Sequence, residues 1–505
     1  MSEAPQVIGV VGAGTMGAGI AQLAAAAGAR TLLHDADPQA LARGAQRVAD
    51  GLDRWREKGR LEREPGTVEG VAELGRLARA GLVIEAAPER LELKRELFAA
   101  LSEVAPRAVL ASNTSSIPIT AIAGAAADPS RVVGMHFFNP APVMALVEVV
   151  AGLQSSPAAL DVARATARAM GKRAIDAADV TGFLVNRCNR PFGLEALKLL
   201  QERIAGVETI DAIVRGAGFR MGPFELQDLV GIDVGFEIAL SFHEQSFGEP
   251  RWRPSPLSAR MVAAGRHGRK TGHGWYAYPR EPEPEPDPLP AGGGDGRLVA
   301  IAGAIALADE LRALAAQAGF DARDQVEADG EVPWLAVDCG ADPDGPPLQG
   351  GPLAMLCADG SLQGLDAGGT AVGFHALPPL DATTLVELTR TPASASLAAE
   401  RAEAFFATLG KRTAWVGDAP GLVLGRIVCQ LVNEACFAVG EGVGSAEDVD
   451  DGMVLGLNHP RGPFAWCEAI GPVHVLAVLD ALRIELGEER YRAAPLLRRL
   501  ATSHE

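Results

Sequence analysis

Basic residues are in short supply: 46 lysines and arginines against 64 aspartates and glutamates leave a formal net charge of -18. An acidic surface repels phosphate backbones, so nucleic acid is not an expected partner. Long apolar runs are also missing. The longest, such as Ile20 to Ala27, are rich in alanine and too short to cross a bilayer as helices, so no membrane is expected. The six cysteines (Cys188, Cys339, Cys357, Cys429, Cys436, Cys467) form no Cys-x-x-Cys pair and no cluster with histidine. That argues against a disulfide frame and against a zinc site, and reads as reduced core thiols. Met1 to Gln6 lacks the charged-then-apolar pattern of a secretory leader and runs at once into a strand-like stretch, so a cytoplasmic address is expected.

What is present is ample apolar material: 48% of 505 residues are hydrophobic, enough for several domains with their own cores. Short apolar runs at Val7–Val11, Thr31–Leu33, Leu82–Ile84, Ala108–Ala111 and Val132–Met135 alternate with helix candidates such as Met16–Ala27 and Leu91–Val104. This alternation predicts an α/β domain, a parallel sheet of Rossmann type covered by helices, over residues 1–180. From about Gly182 longer helical stretches without clear strands predict an all-α domain over 181–278. The segment 279–296 (PREPEPEPDPLPAGGGDG) is a linker, because its prolines lack N–H donors and its glycines are entropically costly to order.

Beyond the linker the sequence repeats itself. Val132–Val150 lines up with Ala371–Thr389, placing His136 over His375 and Glu148 over Glu387. The same spacing carries Gly182, Arg187 and Glu195 onto Gly421, Arg426 and Glu434, and Gly222-Pro223-Phe224 recurs as Gly462-Pro463-Phe464. A shared spacing over so many positions indicates tandem duplication. The expected second copy, a Rossmann-like domain at 297–419 and a helical domain at 420–505, is degenerate. Ile305 and Ala308 stand where the second and third motif glycines would be, Pro378 replaces the equivalent of Asn139, and Gly425 that of Asn186. No second active site is expected.

Gly12-Ala13-Gly14-Thr15-Met16-Gly17 fits Gly-x-Gly-x-x-Gly between a predicted strand and a predicted helix. The first glycine allows a tight turn, the second lets a diphosphate approach the backbone, and the third lets helix and strand pack closely. The amino end of the helix then offers unpaired N–H groups and a partial positive charge. Asp35 ends the second strand-like run, where a carboxylate can accept hydrogen bonds from both hydroxyls of an adenosine ribose. Like charge there disfavours a 2'-phosphate, which points to NAD rather than NADP. A structural glycine turn is the alternative.

His136 follows a strand-like run in Met135-His136-Phe137-Phe138-Asn139-Pro140 and could take a hydroxyl proton near neutral pH. Taken alone, a histidine among phenylalanines reads as a core residue. Glu148, in the apolar run Leu146–Val150, is costly to bury without a partner, and a histidine on an adjacent strand would serve. On an edge strand it would be an ordinary surface glutamate.

Taken together, Gly12–Gly17, Ser112-Asn113-Thr114-Ser115-Ser116, His136–Pro140, Glu148, Thr181–Arg187, Met221–Glu225 and Arg269–Tyr276 resemble the 3-hydroxyacyl-CoA dehydrogenases, in that family's order, over about residues 6–278. The two-copy layout resembles the bacterial members of phenylacetate degradation, which act on 3-hydroxyadipyl-CoA. The resemblance implies NAD-dependent oxidation of an L-3-hydroxyacyl-CoA, with 3-hydroxyadipyl-CoA or 3-hydroxybutyryl-CoA as candidates. It makes His136 the general base and Glu148 its partner. Ser115 would hydrogen-bond the 3-hydroxyl, Asn186 would hold the carbonyl side of the acyl-CoA, and Asn139 would line the site. Glu89, Lys94, Ser115 and Lys270 match positions that contact NAD, and Lys58 matches a lysine near the CoA phosphates. Gly51 departs from the serine common in the family. A dehydrogenase of free 3-hydroxy acids and a non-catalytic NAD-binding protein are the rival readings. The helical part of the second copy is expected to pack on the first as a partner subunit would, giving a monomer with an internal pseudo-dimer or a homodimer.

Overall fold

Strand β1 (Val7–Val11) is apolar along its whole length, as a strand buried on both faces of a sheet must be. It is followed by β2 (Arg30–His34), β3 (Val68–Val71), β4 (Leu82–Glu85), β5 (Val109–Ser112), β6 (Val132–Phe137), β7 (Leu146–Ala151) and β8 (Arg173–Ala178). The computed structural model describes residues 3–281, 289–324, 331–340, 351–366 and 368–503, so residues 282–288 of the expected linker lie outside the described residues. The eight strands form one sheet in the order β3-β2-β1-β4-β5-β6-β7-β8, parallel throughout except where β6 meets β7. Helices Thr15–Ala26, Pro38–Glu57, Leu91–Val104 and Pro157–Ala169 cover it. Two of them start on proline with a side-chain cap: Asp37 accepts from the Gln39 amide, and Ser156 from the Ala159 amide.

This sheet belongs to a compact unit made of Met1–Arg187 together with Glu441–Leu457. The latter segment comes from the second copy. Its helix Ala446–Leu457 lies against β7 and β8, where glycines permit close approach. A Cβ on Gly452 would sit 2.6 Å from Val185, and one on Gly456 2.8 Å from Leu146. Arg173 clasps the segment through Asp451 (2.5 Å) and Glu447 (3.0 Å), and Arg187 through Glu441 (2.8 Å).

The other unit, Cys188–Gly440 with Asn458–Glu505, holds a second sheet. Its strands are β9 (Leu298–Ala302), β10 (Asp321–Arg323), β11 (Leu335–Asp338), β12 (Leu353–Leu356), β13 (Val372–His375), β14 (Leu385–Thr389) and β15 (Arg412–Trp415). They run in the order β10-β9-β11-β12-β13-β14-β15, the first sheet's plan without a counterpart of β3 among the described residues. Duplication extends to individual hydrogen bonds. Lys172 donates to the carbonyls of Ala141 and Met144, and its counterpart Lys411 to those of Leu380 and Thr383. Asp179 caps the helix Ile119–Ala123 through the amides of Ile119 and Thr120, as Asp418 caps Leu362–Leu365 through those of Leu362 and Gln363. The fold is thus a Rossmann-type α/β domain and an all-α domain, followed by a degenerate second copy of both.

Within this unit the helices Arg190–Gln201 and Leu424–Gly440, one from each copy, pack along each other. Fully buried Arg426 joins them, bonding Glu195 (2.8 Å), Glu202 (2.7 Å) and the Tyr491 hydroxyl (2.9 Å). Burial disfavours the guanidinium charge, but the two carboxylates outweigh it and hold Arg426 protonated. Removing one partner of such a group leaves a buried charge uncompensated, typically at about 3–5 kcal/mol. Residues 297–505 are therefore structural for both units. Deleting them is expected to yield insoluble protein or a new dimer, read by size-exclusion chromatography; a stable, active monomer would contradict this.

Candidate active site

Parallel pairing brings the carboxyl ends of β1, β2, β4, β5 and β6 to one edge, and the chemistry-bearing residues follow them. After β1, Gly12 turns with φ of 98°, and a Cβ there would meet the Ala86 carbonyl oxygen at 2.6 Å. A Cβ on Gly17 would lie 1.7 Å from the Gly12 oxygen, whereas Gly14 has no protein atom within 4 Å of where its Cβ would be. Helix Thr15–Ala26 starts at Gly14 without a side-chain cap or an acidic residue in its first turn. Its first amides thus remain available to an anion. Asp35, just past β2, accepts from the Ala13 amide (2.8 Å) and the Asp37 amide (2.9 Å), which pins the carboxylate beside the glycine turn. Open space at Gly14, uncapped amides and this carboxylate fit a dinucleotide diphosphate and ribose.

At the end of β4, Glu85 is buried and accepts from Lys94 (2.7 Å), Ser112 (2.7 Å) and the Ala87 amide (2.6 Å). Nothing in the apolar run before it marked this residue. Lys94 is only 1% exposed, and its ammonium also stands 3.4 Å from Glu89. It therefore holds Glu89 in place rather than reaching outward. Glu89 in turn accepts from Thr114 (2.5 Å), the amides of Ser115 (3.0 Å) and Ser116 (3.2 Å), and the Ser116 hydroxyl (3.0 Å), which fixes the loop after β5. Burial pushes the Glu89 carboxyl up, but Thr114 and the Lys94 charge overcome that and hold it below its ordinary value. Ser115 itself is exposed on this loop. Asn113 ties the same loop to β6 by accepting from the Phe137 amide (2.9 Å).

His136 lies opposite Glu148 in the antiparallel register of β6 and β7, and its Nδ1 meets Glu148 Oε2 at 2.6 Å. Strand β7 is not an edge strand, since β8 pairs on its other side, and Glu148 is 0% exposed. The reading of Glu148 as a surface glutamate is thereby overturned. Its Oε1 accepts from the amides of Leu184 (3.0 Å) and Val185 (2.9 Å), presented by a turn in which Phe183 adopts φ of 50°. Phe138 and Phe183 flank the imidazole at ring distances of 4.6 and 6.1 Å. A carboxylate on Nδ1 selects the tautomer with its proton there, leaving the lone pair on Nε2. Asn186 directly follows Val185, in the short helix Val185–Cys188.

Asn139 is exposed two residues past the end of β6. Lys58 is exposed at the carboxyl end of helix Pro38–Glu57. Gly51, on that helix, has no room for serine as it stands, because a Cβ would lie 2.1 Å from the Gln22 amide oxygen. Lys270 belongs to the other unit, paired with Asp233 at 2.6 Å. Two motifs of the resemblance prove to be structural. Asp211 caps the helix Pro223–Val230 through the Phe224 and Glu225 amides, and a Cβ on Gly222 would fall 2.2 Å from its carboxyl carbon. Asp228 likewise gathers the Trp275 and Tyr276 amides and the Tyr278 hydroxyl.

The second copy keeps the carboxylate cradle and loses the pair. Glu387 accepts from the amides of Val423 (2.6 Å) and Leu424 (2.8 Å), as Glu148 does from theirs. His375, however, leaves Nδ1 without a partner and turns Nε2 to His474 at 3.3 Å. Gly425 is the reason: a Cβ at that position would lie 2.3 Å from the imidazole, so the ring occupies the space that Asn186 fills in the first copy.

Without a hydrogen-bonded base beside it, Glu387 is pushed up to about 8 by burial, although two amides counteract it. Burial also drives His375 well below the usual imidazole range and His459 and His474 down to about 4. These histidines stay neutral in the fold while the unfolded chain takes up protons below about 6.5, so their contribution is complete above that pH and is lost on acidification toward about 4. Glu387 acts oppositely, favouring the fold below its ordinary value of 4.5 and losing that advantage as pH rises to about 8. Three histidines outweigh Glu387 and Asp211, whose carboxyl burial pushes up to about 6, between about pH 6.5 and 4.5. The melting temperature should fall across that window, and His459→Phe, placed between Phe192 and Phe219, should flatten the fall. An unaltered slope in thermal melts would contradict the assignment.

Comparison with known proteins was made on this footing. Residues 7–180 match the 3-hydroxyacyl-CoA dehydrogenase NAD binding domain, and residues 182–278 and 421–505 both match the 3-hydroxyacyl-CoA dehydrogenase C-terminal domain. The chain is 36% identical to the 3-hydroxyadipyl-CoA dehydrogenase of Escherichia coli K12, over 98% of this chain and 97% of that one. It is 42% identical to a probable 3-hydroxybutyryl-CoA dehydrogenase of Deinococcus radiodurans, over 54% of this chain and 99% of the relative. The crystal structure of a 3-hydroxybutyryl-CoA dehydrogenase from E. coli superposes over the full length of both chains with a TM-score of 0.83 and 34% identity.

Proposed function

The chain belongs to the 3-hydroxyacyl-CoA dehydrogenases, and we propose that it oxidises 3-hydroxyadipyl-CoA, with His136 as the base and Glu148 as the carboxylate that orients it. The family activity is NAD-dependent conversion of a 3-hydroxyacyl-CoA to the 3-oxoacyl-CoA. NAD would supply the hydride acceptor, with Gly12, Gly14, Thr15, Met16, Gly17 and Asp35 holding it and Glu89 and Ser115 toward its nicotinamide half.

The observation that carries the catalytic reading is the 2.6 Å contact between His136 Nδ1 and a fully buried carboxylate. Nε2 accepts the proton of the substrate 3-hydroxyl as the C3–H bond gives up its hydride, which leaves a ketone. Nδ1–H stays bonded to Glu148, whose charge offsets the imidazolium that forms. Ser115 holds the 3-hydroxyl, Asn186 the thioester carbonyl, Asn139 lines the cleft, and Lys58 stands toward the CoA phosphates. The dicarboxylic substrate is favoured because the relative of that name shares both copies, whereas the D. radiodurans relative spans only the first. A 3-hydroxybutyryl-CoA substrate is the second reading, from the name of the full-length structural neighbour. The paired helices within one chain support a monomer with an internal pseudo-dimer. The buried free cysteines suit a reducing cytoplasm, and no described helix is long and apolar enough to cross a membrane.

His136→Gln is expected to lower kcat by about 100- to 10,000-fold while NAD affinity, read by fluorescence titration, stays within error. Near-normal kcat would remove His136 from this role. NADH formation from a panel of 3-hydroxyacyl-CoAs and their free acids tests the substrate class.

A further inference from the structure

Arg190 opens the helix Arg190–Gln201 with no hydrogen bond or carboxylate partner among the described residues; its guanidinium lies over the Phe242 ring, 4.7 Å from the centroid. Its Nε is buried and unpartnered. Burial with no counter-charge pushes the group down to about 10, so the fold bears a real cost to keep a cation there. A second donor faces the same helix. Gln227 directs its Oε1 to the Trp275 indole N–H (3.1 Å), and because that N–H can only donate, the amide orientation is settled and the buried Nε2 is left without an acceptor.

Gly193 links the two donors. It lies three residues after Arg190, on the same helical face, and a Cβ there would meet only the Gln227 Nε2, at 3.6 Å. The missing side chain leaves room beside the Gln227 Nε2. Tandem duplication supplies an internal control. By the alignment that pairs Arg187 with Arg426 and Gly222 with Gly462, Arg190 corresponds to Cys429 and Gln227 to Cys467. Those two cysteines are buried and close enough that one raises the other's pKa, so the two positions face each other in the copy that has lost its histidine-carboxylate pair. In that copy both donors have been replaced by apolar groups.

We infer that Arg190 and Gln227 form the pocket for the free carboxylate of a dicarboxylic acyl chain. The inference rests on the first copy being a 3-hydroxyacyl-CoA dehydrogenase. Asn186, which holds the carbonyl side in that reading, is four residues before Arg190, so the chain keeps the two within about 14 Å at full extension. A carboxylate lies only a few bonds beyond the carbinol carbon of 3-hydroxyadipyl-CoA. With a net charge of -18 the protein repels such a tail at long range, and a desolvated arginine is the group that captures it locally. The Phe242 ring covers one face of the guanidinium.

The test compares 3-hydroxyadipyl-CoA with 3-hydroxyhexanoyl-CoA, which has a methyl group in place of the carboxylate. The wild type should favour the dicarboxylic substrate. Arg190→Met should lower kcat/KM for it by about 100-fold, chiefly through KM, and leave the hexanoyl substrate within about threefold. Gln227→Leu should act the same way with a loss of about tenfold. Melting temperature and NAD affinity are measured alongside. Equal losses for both substrates would assign Arg190 to the CoA moiety or to the fold and overturn the inference. A wild type with no preference for the dicarboxylic substrate would overturn it without any variant. Oxidation of neither substrate would instead refute the dehydrogenase reading, which separates the two failures.

Discussion

Everything chemical in the first copy depends on one buried carboxylate. Glu148 sits in the middle of a sheet with no access to water, where an unpartnered carboxylate would cost several kcal/mol. Two amides and one imidazole satisfy it, the imidazole from β6 and both amides from the turn at Leu184–Val185. Satisfying the charge therefore also fixes where the histidine points and where Asn186 begins. The positive φ of Phe183 is part of the same arrangement, since it aims two successive amides at one oxygen.

Comparison of the two copies isolates what that arrangement needs. Both retain the glutamate, the two amides and the histidine, yet only the first has the hydrogen bond between histidine and glutamate. The decisive difference is the residue after the cradle, Asn186 or Gly425. A side chain there excludes the imidazole from the space beyond; its absence lets the ring swing to His474. What the second copy retains is packing. Its helix Ala446–Leu457 covers β7 and β8, and Gly444 approaches Leu184, next to the amides that hold Glu148. The second copy thereby buttresses the strand that carries Glu148.

Much of this was legible in residues alone, where a local pattern reports a local requirement. Val7–Val11 was read with its bounds intact, and the glycine turn, Asp35, His136 and Glu148 stand as the motif logic placed them. The outer strands were missed for a physical reason. Val68–Val71 carries a glutamate and a glycine, and Arg173–Ala178 carries Arg173 and Asp176, because a strand near the rim is only partly covered and needs no continuous apolar run. Glu85 was invisible because an acid following an apolar run usually marks a strand end, not a buried partner for Lys94. The assignment of Lys94 and Glu89 to one network, and of Glu441–Leu457 to the first unit, are long-range facts to which no periodicity responds.

The central claim is a state of one imidazole: the proton on Nδ1, shared with Glu148, and the lone pair on Nε2. Nitrogen-15 NMR of the histidine-labelled protein near neutral pH reads this directly. The account predicts that His136 shows a protonated Nδ1, with a strongly downfield proton that disappears in Glu148→Gln, and an unprotonated Nε2. A proton found on Nε2 instead, or an Nδ1 signal indifferent to the loss of Glu148, would contradict it.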